Sequence, residues 1–223
     1  MTNNTVLVVA AHSDDEALGC AGTIAKHTAA GDQVHVLFMT DGVGSRDATD
    51  TDVIARQKAT KEAMDALGVT AMQNLNFPDN KMDSVALLEI VKEVEISLSK
   101  LEPNILYTHH IGDLNIDHCI THKAVMTACR PQPGLSVKEI YAFEVLSSTE
   151  WQTPGVNAFC PTVYVDITDF IEIKKKVLNV YSDEMRQPPH TRSIENALRL
   201  CELRGNAVGI KSAEAFMCIR KIK

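Results

Sequence analysis

Glycine and proline are sparse, 11 and 8 in 223 residues. That scarcity excludes collagen-like repeats and, beside 45% hydrophobic and 23% charged residues, a disordered or low-complexity chain. Basic runs are short. None exceeds Lys174-Lys175-Lys176, and 22 Lys plus Arg against 29 Asp plus Glu leave a net charge of −7. Nucleic acid, whose affinity rests on phosphate neutralisation, is therefore not an expected partner. Long apolar runs are missing too: the first, Val6 to Ala11, follows the polar Thr2-Asn3-Asn4-Thr5. The opening residues thus carry neither a basic leader with an apolar core nor a transmembrane segment, and the expected compartment is the cytoplasm. The six cysteines, at 20, 119, 129, 160, 201 and 218, include no CxxC pair. They read as reduced core thiols, which leaves any metal to histidines and carboxylates.

What is present is a repeating strand-then-helix pattern, in a chain long enough for one large domain, 1–223. Val6 to Ala11 is an apolar run suited to a strand buried on both faces, and Ala17 to Ala30 has helical periodicity before Gly31-Asp32. Three more units follow. They pair strands at 33–40, 71–77 and 104–109 with helices at 53–67, 85–98 and 118–129. The stretch 137–170 reads as further strands, partly antiparallel, with Trp151 and Pro154-Gly155 in a loop. Helices at about 171–181 and 193–206 and a strand at 215–219 complete the pattern. Four strand-helix units in succession predict an α/β fold: a three-layer, Rossmann-like domain with a mostly parallel sheet.

Ligands of such sheets sit beyond the carboxyl ends of the strands, and here those segments are unusually polar. After the first strand comes His12-Ser13-Asp14-Asp15-Glu16, after the second Asp41-Gly42-Val43-Gly44-Ser45-Arg46-Asp47, after the third Pro78-Asp79-Asn80. The fourth is followed by His110-Ile111-Gly112-Asp113-Leu114-Asn115-Ile116-Asp117-His118. A dinucleotide fold would place GxGxxG in the first turn, and the carboxylates found there would repel a pyrophosphate. Ser13-x-x-Glu16 also has the form of a helix capping box, with Asp14 and Asp15 facing the positive end of the helix dipole. That local reading leaves His12 unexplained. An imidazole and two carboxylates within four residues suit a divalent ion, one carboxylate as ligand and the other free as a base. A further ligand must come from elsewhere. His118 and His122 share a helix face, and His109 and His110 lie close by in sequence.

Ala11-His12-Ser13-Asp14-Asp15-Glu16 resembles the Ala-His-Pro-Asp-Asp-Glu motif of the PIG-L/LmbE-like zinc-dependent N-deacetylases. The resemblance extends through Thr40-Asp41-Gly42, Arg56 with Leu67-Gly68, Phe77-Pro78-Asp79, Asp117-His118, Arg204-Gly205 and Ala213-Glu214-Ala215-Phe216. It implies Zn2+ bound by His12, Asp15 and His118, with Asp14 as general base. It places Arg56 and Asp79 near the substrate, a small N-acetylated sugar or sugar conjugate whose acetyl group leaves as acetate. His190, Arg192 and Arg204 are candidates for a cationic rim, and a homo-oligomer is compatible with this reading.

Two positions depart from the family pattern. Ser13 replaces the usual proline, a change that should alter turn stiffness more than chemistry. Asn115 stands where the family commonly places a histidine three residues before the metal-binding one. Its amide can donate to an oxyanion but cannot titrate, so either Asn115 or one of His109, His110 and His122 is expected to polarise the substrate. The same departure leaves open a non-catalytic carbohydrate-binding protein with a vestigial metal site.

Overall fold

A computed structural model describes residues 3–40, 42, 44 and 49–223, apart from the side chain of Asp50. Its strands are β1 (Thr5–Ala10), β2 (Gln33–Thr40), β3 (Ala71–Phe77), β4 (Ile105–His109), β5 (Glu139–Phe143), β6 (Val163–Asp166) and β7 (Ala213–Lys221). Its helices are α1 (Asp15–Ala29), α2 (Asp50–Leu67), α3 (Leu87–Leu101), α4 (Ile116–Ala128), α5 (Ile171–Val180) and α6 (Ile194–Asn206). One sheet runs β3-β2-β1-β4-β5-β7-β6, parallel from β3 to β5, with β7 antiparallel to both neighbours. The expected three-layer, mostly parallel α/β architecture is what forms.

Strand alternation sorts the core into two slabs. Val6, Val8 and Ala10 of β1 pack with α1, α2, α5 and α6 on one face, and Leu7 and Val9 with α3 and α4 on the other. A strand apolar on both faces has to be central, and β1 sits between β2 and β4. Chain order reverses direction at β1 and β4, which opens a crevice beyond their carboxyl ends. Among the described residues, no helix is long and apolar enough to cross a membrane.

Element ends differ from the sequence expectation for identifiable reasons. Helix α2 extends back to Asp50 because Thr49 and Asp52 form a reciprocal capping box, and it stops at Gly68, whose φ of 70° suits a left-handed cap. Helix α4 starts two residues before His118, since the Asn115 side chain accepts from Asp117 N and caps it. The stretch 137–170 yields only β5 and β6, with Trp151 in a short 3₁₀ turn. The capping box expected at Ser13 does not form: Asp14 is the N-cap residue and makes no side-chain cap bond.

Candidate metal-dependent active site

The two strands at the crevice deliver the site. His12, Asp14 and Asp15 follow β1 at the start of α1, and His118 lies in the first turn of α4 after β4. His12 Nδ1 is 3.1 Å from Asp15 Oδ2, Asp15 Oδ2 is 3.2 Å from His118 Nε2, and the two nitrogens are 3.3 Å apart. Three donors at roughly 2.0–2.1 Å from one tetrahedral ion would be spaced about 3.3–3.4 Å, so this near-equilateral triangle fits one face of such a site. Asp15 Oδ1 is buried with no hydrogen-bond partner among the described residues, a further oxygen suited to a cation.

The outward nitrogens of both imidazoles meet carboxylates. His118 Nδ1 lies 3.1 Å from Asp113 Oδ2, and His12 Nε2 lies 3.2 Å from Asp79 Oδ1 and 3.3 Å from Asp117 Oδ2. Carboxylates in these positions fix ring orientation and tautomer, leaving the inward nitrogens to coordinate. They are themselves anchored. Asp113 accepts from Thr149 Oγ1 at 2.8 Å, from Asn115 N at 3.0 Å and from Ser148 Oγ, while Asp117 accepts from Asn80 N and Met82 N. His12, Asp15 and His118 could therefore hold a metal ion.

The buried histidines and carboxylates of the site sustain one another's charge. Burial works against charge on every group, but His118 and His109 hold the Asp15 carboxyl well below its usual range. Asp15 and Asp113 raise His118 to about 9 against the same burial, and Asp117 and Asp15 raise His12. Burial raises Asp14, opposed by Arg56 and Arg192. A carboxylate raised in this way is a stronger base than an exposed one. Asp14 also has φ 146°, a strained backbone for a side-chain-bearing residue, of the kind that clusters at functional sites.

Above the triangle opens a cleft of about 320 Å³. His12, Asp14, Arg56, Asp79, Asn115 and His118 line it, all singled out in the sequence, and so does Arg192. Arg192 Nη1 donates to Asp14 Oδ2 at 2.8 Å. Arg56 is no surface ion pair: it is 8% exposed, with Nε donating to Ser13 Oγ and Nη1 2.8 Å from Glu184.

Other expected residues lie elsewhere. His109 and His110 are buried, and neither is among the residues that line the cleft. His109 is the last residue of β4, where its ring stacks on His118 and its Nε2 accepts from Ala11 N and lies 3.4 Å from Asp15 Oδ2. His110 Nε2 bonds the Asn157 carbonyl and His122 Nδ1 the His109 carbonyl. Arg204 grips Glu144 through two bonds, outside the cleft. Asp41, Val43 and residues 45–47 lie outside the described residues. Asp113, Ser148 and Glu184 were not singled out as site residues. Their roles depend on contacts across the fold that no local spacing announces.

Residues 7–129, more than half of the chain, match the family model described as PIG-L, GlcNAc-PI de-N-acetylase. The chain belongs to the PIG-L family. Among its relatives, the uncharacterized deacetylase YaiS of Escherichia coli K12 is 31% identical over 135 residues, 58% of this chain and 70% of that protein. A diacetylchitobiose deacetylase from Thermococcus kodakarensis is 27% identical over 205 residues, 80% of this chain and 69% of that protein. The crystal structure of the conserved protein TT1542 from Thermus thermophilus superposes with a TM-score of 0.80 at 25% identity, covering 99% of this chain and 96% of that one. The PIG-L match ends at the close of α4, so it includes all of the His12, Asp15 and His118 triangle. Arg192 and Glu184 come from the part of the chain beyond it.

Proposed function

We propose that this PIG-L chain is a zinc-dependent hydrolase that removes the acetyl group from the nitrogen of an amino-sugar derivative, releasing acetate and a free amine. The observation that carries the reading is the His12, Asp15 and His118 triangle at the base of a cleft that Asp14 also lines. Kinship with proteins named as deacetylases supports it.

A zinc ion held by those three residues would acidify a water molecule and polarise an amide carbonyl. The chain's own groups do the rest. Asp14 takes the proton from the attacking water and returns it to the departing amine. Arg192 and Arg56 hold the Asp14 carboxylate in place. Asn115 is fixed because its Oδ1 caps α4 and its Nδ2 donates to Asn80 Oδ1 at 3.1 Å, and the remaining N–H of that amide supplies an oxyanion donor. Arg56 and Asp79 present polar atoms to sugar hydroxyls, and Trp151, 49% exposed at the rim, offers an indole face to the apolar side of a sugar ring.

Zinc-loaded protein should release acetate from at least one member of a panel of N-acetylated sugars and conjugates, with one zinc per chain by elemental analysis. His118→Ala should lose both metal and activity while keeping its fold. No acetate from any substrate, or parental zinc content in the variant, would refute the proposal.

A further inference from the structure

Helix α1 is broken. At Cys20 the backbone leaves the helical region, with φ −151° and ψ 20°, so the segment Asp15–Gly19 is joined to the remainder through a non-helical residue. In an unbroken helix Gly22 N would donate to the Leu18 carbonyl. Here Gly22 N donates to Glu214 Oε1 at 3.0 Å and Thr23 N to Glu214 Oε2 at 2.7 Å. Lys174 Nζ, from α5, donates to the carbonyls of Ala17 at 3.1 Å and Leu18 at 2.8 Å, and to Glu214 Oε1 at 2.6 Å. An ion pair is thus inserted where a helix hydrogen bond would be. The ammonium caps the carbonyl end of the first segment and the carboxylate caps the amide end of the second, each sign matching the dipole it faces.

Both side chains are almost fully buried, at 1% and 3% exposed. Stability alone is a poor account of such a pair, since well-packed apolar residues usually serve as well. Apolar residues could not satisfy the four backbone groups of a broken helix. The break also has a location that matters. The segment before the break begins with Asp15, directly after Asp14, so its placing bears on both carboxylates. Packing leaves the break little slack, because a Cβ at Gly19 would overlap the Phe143 ring of β5 and one at Gly22 the Ile167 side chain after β6.

We infer that Lys174 and Glu214 are positioning residues for the metal site: together they splint α1 at its break and so fix where the Asp14 and Asp15 carboxylates stand. The inference rests on the reading that His12, Asp15 and His118 bind a divalent ion.

Its test is zinc affinity, measured by competition with a chromophoric chelator, for the parent, Glu214→Gln and Lys174→Met/Glu214→Gln. The parent should take one zinc per chain. Variants that still unfold cooperatively should bind it about 10–100-fold more weakly, with kcat reduced and KM little changed. Folded variants with parental zinc affinity and kcat would overturn the splint alone. A parent that takes up no zinc would overturn the metal reading, and the splint with it. Should both variants fail to fold, amide hydrogen exchange on the parent decides, because linkage is reciprocal. Zinc must then slow exchange at Gly22 and Thr23 more than at Val94 and Leu98 of α3, and equal slowing at both places would overturn the inference.

Discussion

Asp14 is buried, strained and held between two guanidinium groups, at 2.8 Å from Arg192 and 3.5 Å from Arg56. Asp14→Asn keeps the shape and removes the proton acceptor, so it should retain near-parental zinc and lose about 10²-fold or more in turnover. Loss of zinc with activity would make Asp14 a ligand. Asn115→Ala should lower turnover by something like 10²-fold with zinc retained, since one preorganised oxyanion donor is worth about 3 kcal/mol. Acetate release at saturating substrate checks both. At this scale the sequence was partly legible. His12, Asp14, Asp15 and Asn115 lie where their spacing suggested, because each is within a few residues of a helix start. The sequence cluster at 109 and 110 does not tell which of the two rings reaches the triangle: His109 stacks on His118, and His110 turns to the Asn157 carbonyl. Asp113 was hidden for another reason: its anchor Ser148 follows β5, 35 positions away.

Among the elements, β2 and β3 were legible to the residue, since strands bounded by turn-forming residues leave little choice of register. Helix starts were less so. They depend on which side chain finds a backbone N–H, and Ser13 is drawn instead to Arg56. The turn from α1 to β2 gives a test of such local bonding. Asp32 is partly desolvated, yet bonds from His27 Nδ1 at 2.6 Å and Asn4 N at 2.8 Å outweigh that and depress its pKa. A depressed carboxyl contributes stability above its unfolded value, near 3.9, and loses it as pH falls through the folded value. Asp32→Asn should therefore cost about 1 kcal/mol at neutral pH, and the gap from the parent should close in acid. Urea unfolding at a series of pH values would show it, and a gap independent of pH would rule the ionic contribution out.

At the scale of the whole molecule, the parallel direction of β1 to β4 followed from strand-helix alternation, and so did the gathering of polar loops beyond their carboxyl ends. The insertion of β7 between β5 and β6 did not, because an edge rearrangement leaves no periodic trace. The crevice gathers Asp14, Asp15, Asp79, Asp113 and Asp117, all buried. A divalent ion relieves that crowding in the folded state alone, so zinc at 100 times its Kd should stabilise the chain by about 2.7 kcal/mol. For a chain of this size that corresponds to a Tm rise of roughly 5–10 °C over chelator-treated protein. Scanning calorimetry would check it, and an unchanged Tm would count against a metal at this position. The placing of β7 also bears on synthesis. Translation delivers residues 213–221 after the other described strands and helices, yet among the described residues β6 pairs with β7 alone, and Glu214 on β7 meets the amides beyond the break in α1. Until those residues emerge, β5 presents an open edge of the kind that templates aggregation, and the β1 half of the crevice lacks its brace. A premature stop before residue 213 then removes, together, the strand that covers the edge of β5, the partner of β6 and the carboxylate that meets the amides of Gly22 and Thr23.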